Sequence, residues 1–336
     1  MTKFNKLVFM NSLILGTLMA LSSYSWLSMW MGLEINLLSI IPLMMNPKNV
    51  FPSESAMKYF ITQAMASMIL LFTIIVSFNT ADYIFFNSIS LMTIALNSSL
   101  LMKMGAAPFH FWFPEVMEGL NWLNNLLMMT WQKIAPMVLL NFSFNQIYFL
   151  TFIIVLSSLI SGLMSLNQTS LRKILAYSSI NHISWMISAM MYSNTVWLIY
   201  FIVYSIISIN LILILKNLNS FYLTQLFFFF KNNKSIKILV NFNFFSLGGL
   251  PPFLGFFPKW LTINYLTYNN FYFLTVLMIL FNMMMLFAYL RITFSSLTIK
   301  SNESTNLNYN LSFTTIFLNY LTIFLLVMMV LIFNLF

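Results

Sequence analysis

Four ionisable side chains stand inside long apolar stretches of the 336-residue chain. They are Glu34 in "WMGLEINLLSIIP", Lys103 in "KMGAAPFHFWFPE", Lys133 in "TWQKIAPMVLL" and Lys259 in "GLPPFLGFFPKW". An unpaired charge at the centre of a membrane helix costs about 2.5–3.5 kcal/mol on insertion scales, so four would cost on the order of 10 kcal/mol. Such groups are expected to be paired or hydrated, and intramembrane ionisable residues mark ion or proton pathways. One carboxylate and three amines suit the movement of protons. Burial disfavours the charged form of each, and a neighbouring opposite charge favours it, so protonation can follow a neighbour's charge. Glu34 with Lys103 is the natural pair, since Glu34 is the one acid in the middle of a span. His110 and His182 can extend such a path, because imidazole titrates near neutrality. The plainer alternatives are a buried packing ion pair, a lysine snorkelling from a span end and polar packing histidines. Two lone histidines without ligation spacing give no support for haem, and no residues here read as catalytic or metal-binding.

Each lysine has helix breakers beside it. Proline lacks an N–H and crowds the carbonyl four residues back. Pro108 frees the carbonyl of Met104 next to Lys103, Pro136 frees that of Gln132 next to Lys133, and Pro252 frees that of Gly248 near Lys259. Opened turns of this kind are tolerated in a membrane only inside protein or along a wet cavity. Gly105, Pro108, Pro136, Gly249, Pro251 and Pro252 are therefore the expected helix-break positions.

The elements that must hold these residues follow from composition. Hydrophobic residues make up 60% of the chain and charged residues 6%, where soluble domains carry about a quarter charged. The fold class is all-α, a polytopic membrane protein, because runs this long satisfy their backbone in lipid only as helices. Hydropathy predicts about 11 spans at about 20 residues each. They run 3–22, 25–45, 56–78, 83–106, 119–141, 146–166, 173–191, 195–216, 237–268, 271–295 and 312–335. The N-terminal apolar run is too long for a signal-peptide core and reads as the first span. Lysines and arginines fall at the N-terminus and in every second loop, from Lys48 and Lys58 through Arg172 and Lys173 to Arg291 and Lys300. The intervening loops hold none, as the positive-inside rule requires, which places the N-terminus on the matrix or cytoplasmic side. The basic loop 217–236 has room for a short interfacial helix. With no cysteine, disulfides and thiolate metal sites are excluded. No glycine-rich phosphate motif is present, and the scattered basic residues do not suggest nucleic acid.

"GAAPFHFWFPE" at 105–115 and "GLPPFLGFFPK" at 249–259 align with an offset of 144 residues, matching Gly105 to Gly249, Pro108 to Pro252, Phe109 to Phe253, Phe113 to Phe257 and Pro114 to Pro258. The offset corresponds to five spans, an odd number, so the copies enter the membrane in opposite directions. Two inverted five-helix repeats with discontinuous helices follow, and paired interrupted segments in two halves point to a transport site. The expected organisation is one transmembrane domain over 1–336, with halves near 1–145 and 146–296 and a C-terminal helix at 312–335.

Four stretches, "MGLEINLLSIIP", "KMGAAPFHFWFPEVMEGL", "LRKILAYSSINHISWM" and "GLPPFLGFFPKW", resemble the antiporter-like membrane subunits of mitochondrial respiratory complex I in an invertebrate-like form. This family is shared with multisubunit cation/proton antiporters, and the resemblance covers nearly the whole chain in order. It implies a core subunit of NADH:ubiquinone oxidoreductase that contributes to proton translocation in the mitochondrial inner membrane. By motif, Glu34 and Lys103 match the family's glutamate–lysine pair, Lys133 its central lysine and Lys259 its terminal lysine. Bacterial members have three more N-terminal helices, which this chain starts without. The resemblance also implies no cofactor in this chain, with NAD, FMN, iron–sulfur clusters and ubiquinone held by other subunits. Implied partners are membrane lipids, subunits 4 and 4L, and a lateral helix from subunit 5. The rival readings are a subunit of a non-redox cation/proton antiporter and a structural membrane subunit without transport.

Overall fold

The structure, a computed structural model, describes residues 3–45, 49–80, 86–144, 146–232, 234–298, 313, 315–320 and 322. Lys48, Asp82 and Lys300, and most of the span expected at 312–335, lie outside the described residues. Among the described residues the architecture is helical, with one isolated bridge between Ser170 and Tyr222. The chain forms two compact units, Met1–Ile153 and Ile154–Phe336.

In the first unit, α1 (Lys3–Ser22) packs along α2 (Trp26–Met44). Their contact is close because it is built from small residues. A Cβ on Gly32 would stand 2.6 Å from the Ala20 nitrogen and 2.9 Å from the Gly16 oxygen. Small residues that let backbones approach are the usual basis of helix pairing in a membrane, where lipid supplies little hydrophobic drive. Ser25 caps α2 by accepting from the Ser28 N–H. The long α3 (Val50–Thr80) packs on α2 and on α4 (Phe86–Met104). It starts earlier than the expected span 56–78, and Lys58, counted with the loop lysines in the sequence, lies well inside it, bonded to Glu54 and Glu115 at 3.1 Å each. Short α5 (Trp112–Gly119) lies against α3 through Gly119, where a Cβ would sit 2.8 Å from the Phe51 oxygen.

The expected span 119–141 differs from the structure. It forms two helices, α6 (Trp122–Met129) and α7 (Trp131–Phe142), separated at Thr130. Pro136 lies inside α7, so the interruption falls six residues earlier than the proline suggested. Thr130 departs from ideal helix dihedrals at φ −113° and ψ −71° while staying in the right-handed region, and the Leu126 carbonyl accepts both its N–H at 3.0 Å and its hydroxyl at 2.8 Å. A threonine hydroxyl that bonds back to the carbonyl four residues earlier competes with the backbone bond and bends a helix.

The second unit contains most of α8 (Ile147–Ser165), then α9 (Leu171–Met190), α10 (Asn194–Leu218), α11 (Leu223–Asn232), α12 (Lys234–Gly248), α13 (Phe256–Tyr268) and α14 (Tyr272–Thr298). The basic loop after α10 does hold a helix, α11. Asn219, at φ 50°, closes α10 in the left-handed cap that asparagine tolerates. Six of the described helices, α1, α2, α3, α8, α10 and α14, are long and apolar enough to cross a membrane. α9 is not among them, yet every residue from Ile174 to Met190 is buried. Its serines turn back onto their own helix, as Ser178 does to the Leu175 oxygen and Ser184 to the Asn181 oxygen. A polar helix survives here because protein, rather than lipid, surrounds it. It touches α10, α13 and α14.

Candidate functional site: buried charges at interrupted helices

Both expected interruptions beside paired glycines and prolines are present, and they share local geometry. Gly105 has φ 76° and Gly249 φ 75°, left-handed values that a side chain rarely adopts. The amide of Ala106 returns to the Leu101 oxygen, and that of Leu250 to the Phe245 oxygen. These are the six-to-one bonds of a glycine-closed helix end. The Ala107–Pro108 and Pro251–Pro252 peptides are both cis. Helix resumes as α5 at Trp112 and as α13 at Phe256.

In the first unit, the interruption presents Lys103 from the last turn of α4. Its Nζ approaches Glu34 Oε1 on α2 at 3.9 Å. This is an ion-pair separation, too long for a hydrogen bond. The lysine side chain is 4% exposed and the glutamate 26%, so the pair has an open side at the acid. Opened carbonyls near the break find donors from other helices. Gln63 Nε2 donates to the Lys103 oxygen at 3.3 Å, and Trp112 Nε1 to the Met102 oxygen at 3.1 Å.

Lys133 lies just past the Thr130 interruption and is 1% exposed. Its Nζ stands 5.5 Å from the centre of the Phe113 ring, within cation–π range. The neighbouring Gln132 exchanges two hydrogen bonds with Asn36, at 3.2 and 2.9 Å, and accepts from Tyr59 at 3.4 Å. The amide pair ties α7 to α2, the helix of Glu34. His110 sits in the interruption itself, 2% exposed, with Nδ1 3.3 Å from the Pro108 oxygen. Its Nε2 is buried and has no partner among the described residues.

In the second unit, Lys259 projects from the first turn of α13 back onto the end of α12. Its Nζ donates to the Gly248 oxygen at 2.9 Å, to the Leu247 oxygen at 3.3 Å and to Asn282 Oδ1 at 2.8 Å. The carbonyl that Pro252 frees is thus one that the lysine takes. The Trp185 ring lies 5.8 Å from the same nitrogen. Asn282 Oδ1, on α14, also accepts from Asn181 on α9 at 3.2 Å. Next to Asn181, His182 meets the Tyr200 hydroxyl at 2.9 Å through Nδ1. Among the described residues of this unit there is no aspartate or glutamate, so neutral dipoles hold the Lys259 charge.

Glu34 and Lys103 therefore come together, and Lys133 and Lys259 each stand buried beside an interruption. Sequence reasoning passed over the amides Asn36, Gln132, Asn181 and Asn282. Each is a polar residue within an otherwise apolar run, the signal available for finding it. In the repeat alignment, Glu115 stands where Lys259 stands, and it faces Lys58 on an exposed surface instead. No group of three histidine, cysteine or acidic residues able to hold a metal comes together among the described residues.

A transmembrane family described as NADH:quinone oxidoreductase/Mrp antiporter matches residues 23–285. The chain is similar to NADH-ubiquinone oxidoreductase chain 2 of Anopheles gambiae, 47% identical over 96% of each chain. The corresponding protein of Locusta migratoria is 44% identical over 89% of this chain and 87% of its own. That of Didelphis virginiana is 42% identical over 85% and 83%. The fold is similar to a chain of respiratory complex I from Thermus thermophilus, with a TM-score of 0.85 and 22% identity over 96% of this chain and 78% of that one. It is also similar to a chain of the Mrp complex from a Dietzia species, with a TM-score of 0.75 and 15% identity over 89% and 61%.

Proposed function

Because this chain belongs to the NADH:quinone oxidoreductase/Mrp antiporter transmembrane family, we propose that its buried charges carry protons across the membrane in a respiratory NADH:ubiquinone oxidoreductase. It is a core membrane subunit of that enzyme type, as its chain 2 relatives are named. The observation that carries the proton reading is the recurrence of a buried lysine beside an interrupted helix at Lys103, Lys133 and Lys259.

In this reading, charge movement elsewhere in the enzyme shifts the Glu34–Lys103 pair. The change alters the protonation of Lys133 and passes a proton toward Lys259, with His110 and His182 as side groups of the path. NAD, FMN, iron–sulfur clusters and ubiquinone belong to other subunits. Residues 1–336 act as one antiporter-like domain of about 11 spans, built as inverted halves near 1–145 and 146–296 with a C-terminal helix at 312–335. The matching turns at Gly105 and Gly249 support that repeat. Lipids, subunits 4 and 4L and the lateral helix of subunit 5 are its neighbours in the mitochondrial inner membrane.

Lys133→Met tests the role. Methionine fills similar volume without charge, so the variant complex is expected to assemble. Proton pumping coupled to NADH oxidation, measured in proteoliposomes, should fall sharply. Arginine should not restore it, because guanidinium stays charged across the working range. Unchanged pumping per NADH at unchanged turnover would remove Lys133 from the mechanism and favour a structural subunit. An antiporter complex without redox chemistry is the second reading, supported by the Mrp fold likeness. Co-purification with flavin and iron–sulfur proteins separates the two.

A further inference from the structure

Lys259 Nζ faces three acceptors, the Leu247 and Gly248 carbonyls and Asn282 Oδ1. An ammonium has three N–H donors and no lone pair, so the charged lysine satisfies all of them. The neutral amine has two donors and one lone pair. It faces one acceptor too many and needs a donor in its place. The two carbonyls belong to the backbone end of α12 and cannot turn. The Asn282 amide can, since a half turn about its last torsion exchanges an acceptor for a donor. Asn282 is also only partly buried, which leaves its amide room to turn.

Asn282 is not isolated. In the observed arrangement its oxygen accepts from Asn181 Nδ2 as well as from Lys259. Meanwhile Asn181 Oδ1 is buried and has no partner among the described residues. The observed direction, Asn181 to Asn282 and Lys259 to Asn282, is the one an ammonium requires. The opposite direction suits the neutral amine. One N–H of a turned Asn282 meets the lysine lone pair, and the other meets Asn181 Oδ1.

We propose that Asn282 and Asn181 form a two-amide switch whose hydrogen-bond direction reverses with the proton on Lys259. When an Nζ–H bond breaks, its electron pair stays on nitrogen as the lone pair, and the proton passes to a water molecule in the transport path. Asn282 then turns from acceptor to donor, and Asn181 from donor to acceptor. The reversal reports the state of Lys259 to α9, where His182 follows Asn181 and bonds Tyr200. Besides the two asparagines, the Trp185 ring on α9 faces Lys259, and there is no carboxylate among the described residues of this unit. The titratable groups on the packed helices α9 and α14 include His182, bonded to Tyr200, and Tyr289, against Phe244. Asn282 is a positioning residue here, acting through the lysine.

The inference rests on Lys259 carrying protons, so Lys259→Met comes first in the assembled complex. Unchanged pumping in that variant would overturn both the lysine's role and the switch. With pumping lost in Lys259→Met, the Asn282 series decides the switch alone. Asn282→Asp keeps the shape but, ionised, cannot donate. Asn282→Ser is smaller but both donates and accepts. Pumping-coupled turnover is expected to fall about tenfold in Asn282→Leu, the effect of losing a hydrogen bond to a charged group, and at least as far in Asn282→Asp, whose carboxylate holds the ammonium and offers the neutral amine no donor. Asn282→Ser should retain more activity than Asn282→Asp. A packing role gives the reverse order, with the isosteric aspartate the better replacement, and that order would overturn the switch. Infrared difference spectra provide a second measurement on the unmutated complex. Isotope-labelled asparagine carbonyls should shift between resting and turning-over enzyme, and a silent carbonyl region would also overturn the proposal.

Discussion

Glu34 and Lys103 stand 3.9 Å apart, close enough to stabilise each other and too far for a hydrogen bond. Removing one partner leaves a charge in a buried site, and breaking such pairs typically costs about 3–5 kcal/mol. The partial exposure of Glu34 puts the expected loss near the lower end. Glu34→Gln and Lys103→Met should each lower the thermal stability of the assembled complex more than the double variant does. Additive losses would show that the two side chains act separately. The reciprocal amide bonds between Asn36 and Gln132 tie α2 to α7, with Asn36 two residues beyond Glu34 and Gln132 next to Lys133.

The interrupted elements differ in what their glycines touch. Gly105 and Gly249 have the same left-handed backbone, which costs a residue with a side chain about 1–2 kcal/mol. A Cβ on Gly249 would stand 2.8 Å from Lys259 Cδ and 3.1 Å from its Nζ. On Gly105 the nearest atom is Phe113 Cβ at 3.1 Å. Gly105→Ala and Gly249→Ala should therefore lose similar stability. Only Gly249→Ala displaces a lysine amine from its carbonyls, so its coupled turnover should fall further. Equal turnover in the two variants would mean that the seat of Lys259 at the end of α12 has no bearing on activity.

At the scale of the molecule, the alternation of lysine and arginine along the sequence predicts a direction for each span. The chain has no cysteine, so single cysteines report topology without background. Asn167 lies before α9 and Asn194 opens α10, and both are exposed. In sealed membranes an impermeant maleimide should label Asn167→Cys from one side and Asn194→Cys from the other. Labelling from the same side would mean that α9, the least apolar of the long helices in this unit, does not cross.

The membrane setting, the four charges within apolar stretches and the breakers at Gly105–Pro108 and Gly249–Pro252 were legible in the sequence. Their causes are local: a charge in lipid is costly wherever it sits, and a proline lacks its N–H whatever its neighbours. The expected span 237–268 was too long for one crossing, and its glycine and prolines already marked where it divides. Tertiary structure decided the partners. Gln132 finds Asn36 across 96 positions, and Lys259 finds Asn282 across 23. No periodicity encodes those distances, because they depend on which helix faces pack. The break near Lys133 fell at Thr130 rather than Pro136, since a proline can be carried within a helix while a threonine hydroxyl bonding back to the carbonyl four residues earlier bends one. Hydropathy likewise ranks α9 as weak, and only its burial among α10, α13 and α14 explains how so polar a helix comes to hold Asn181 and His182.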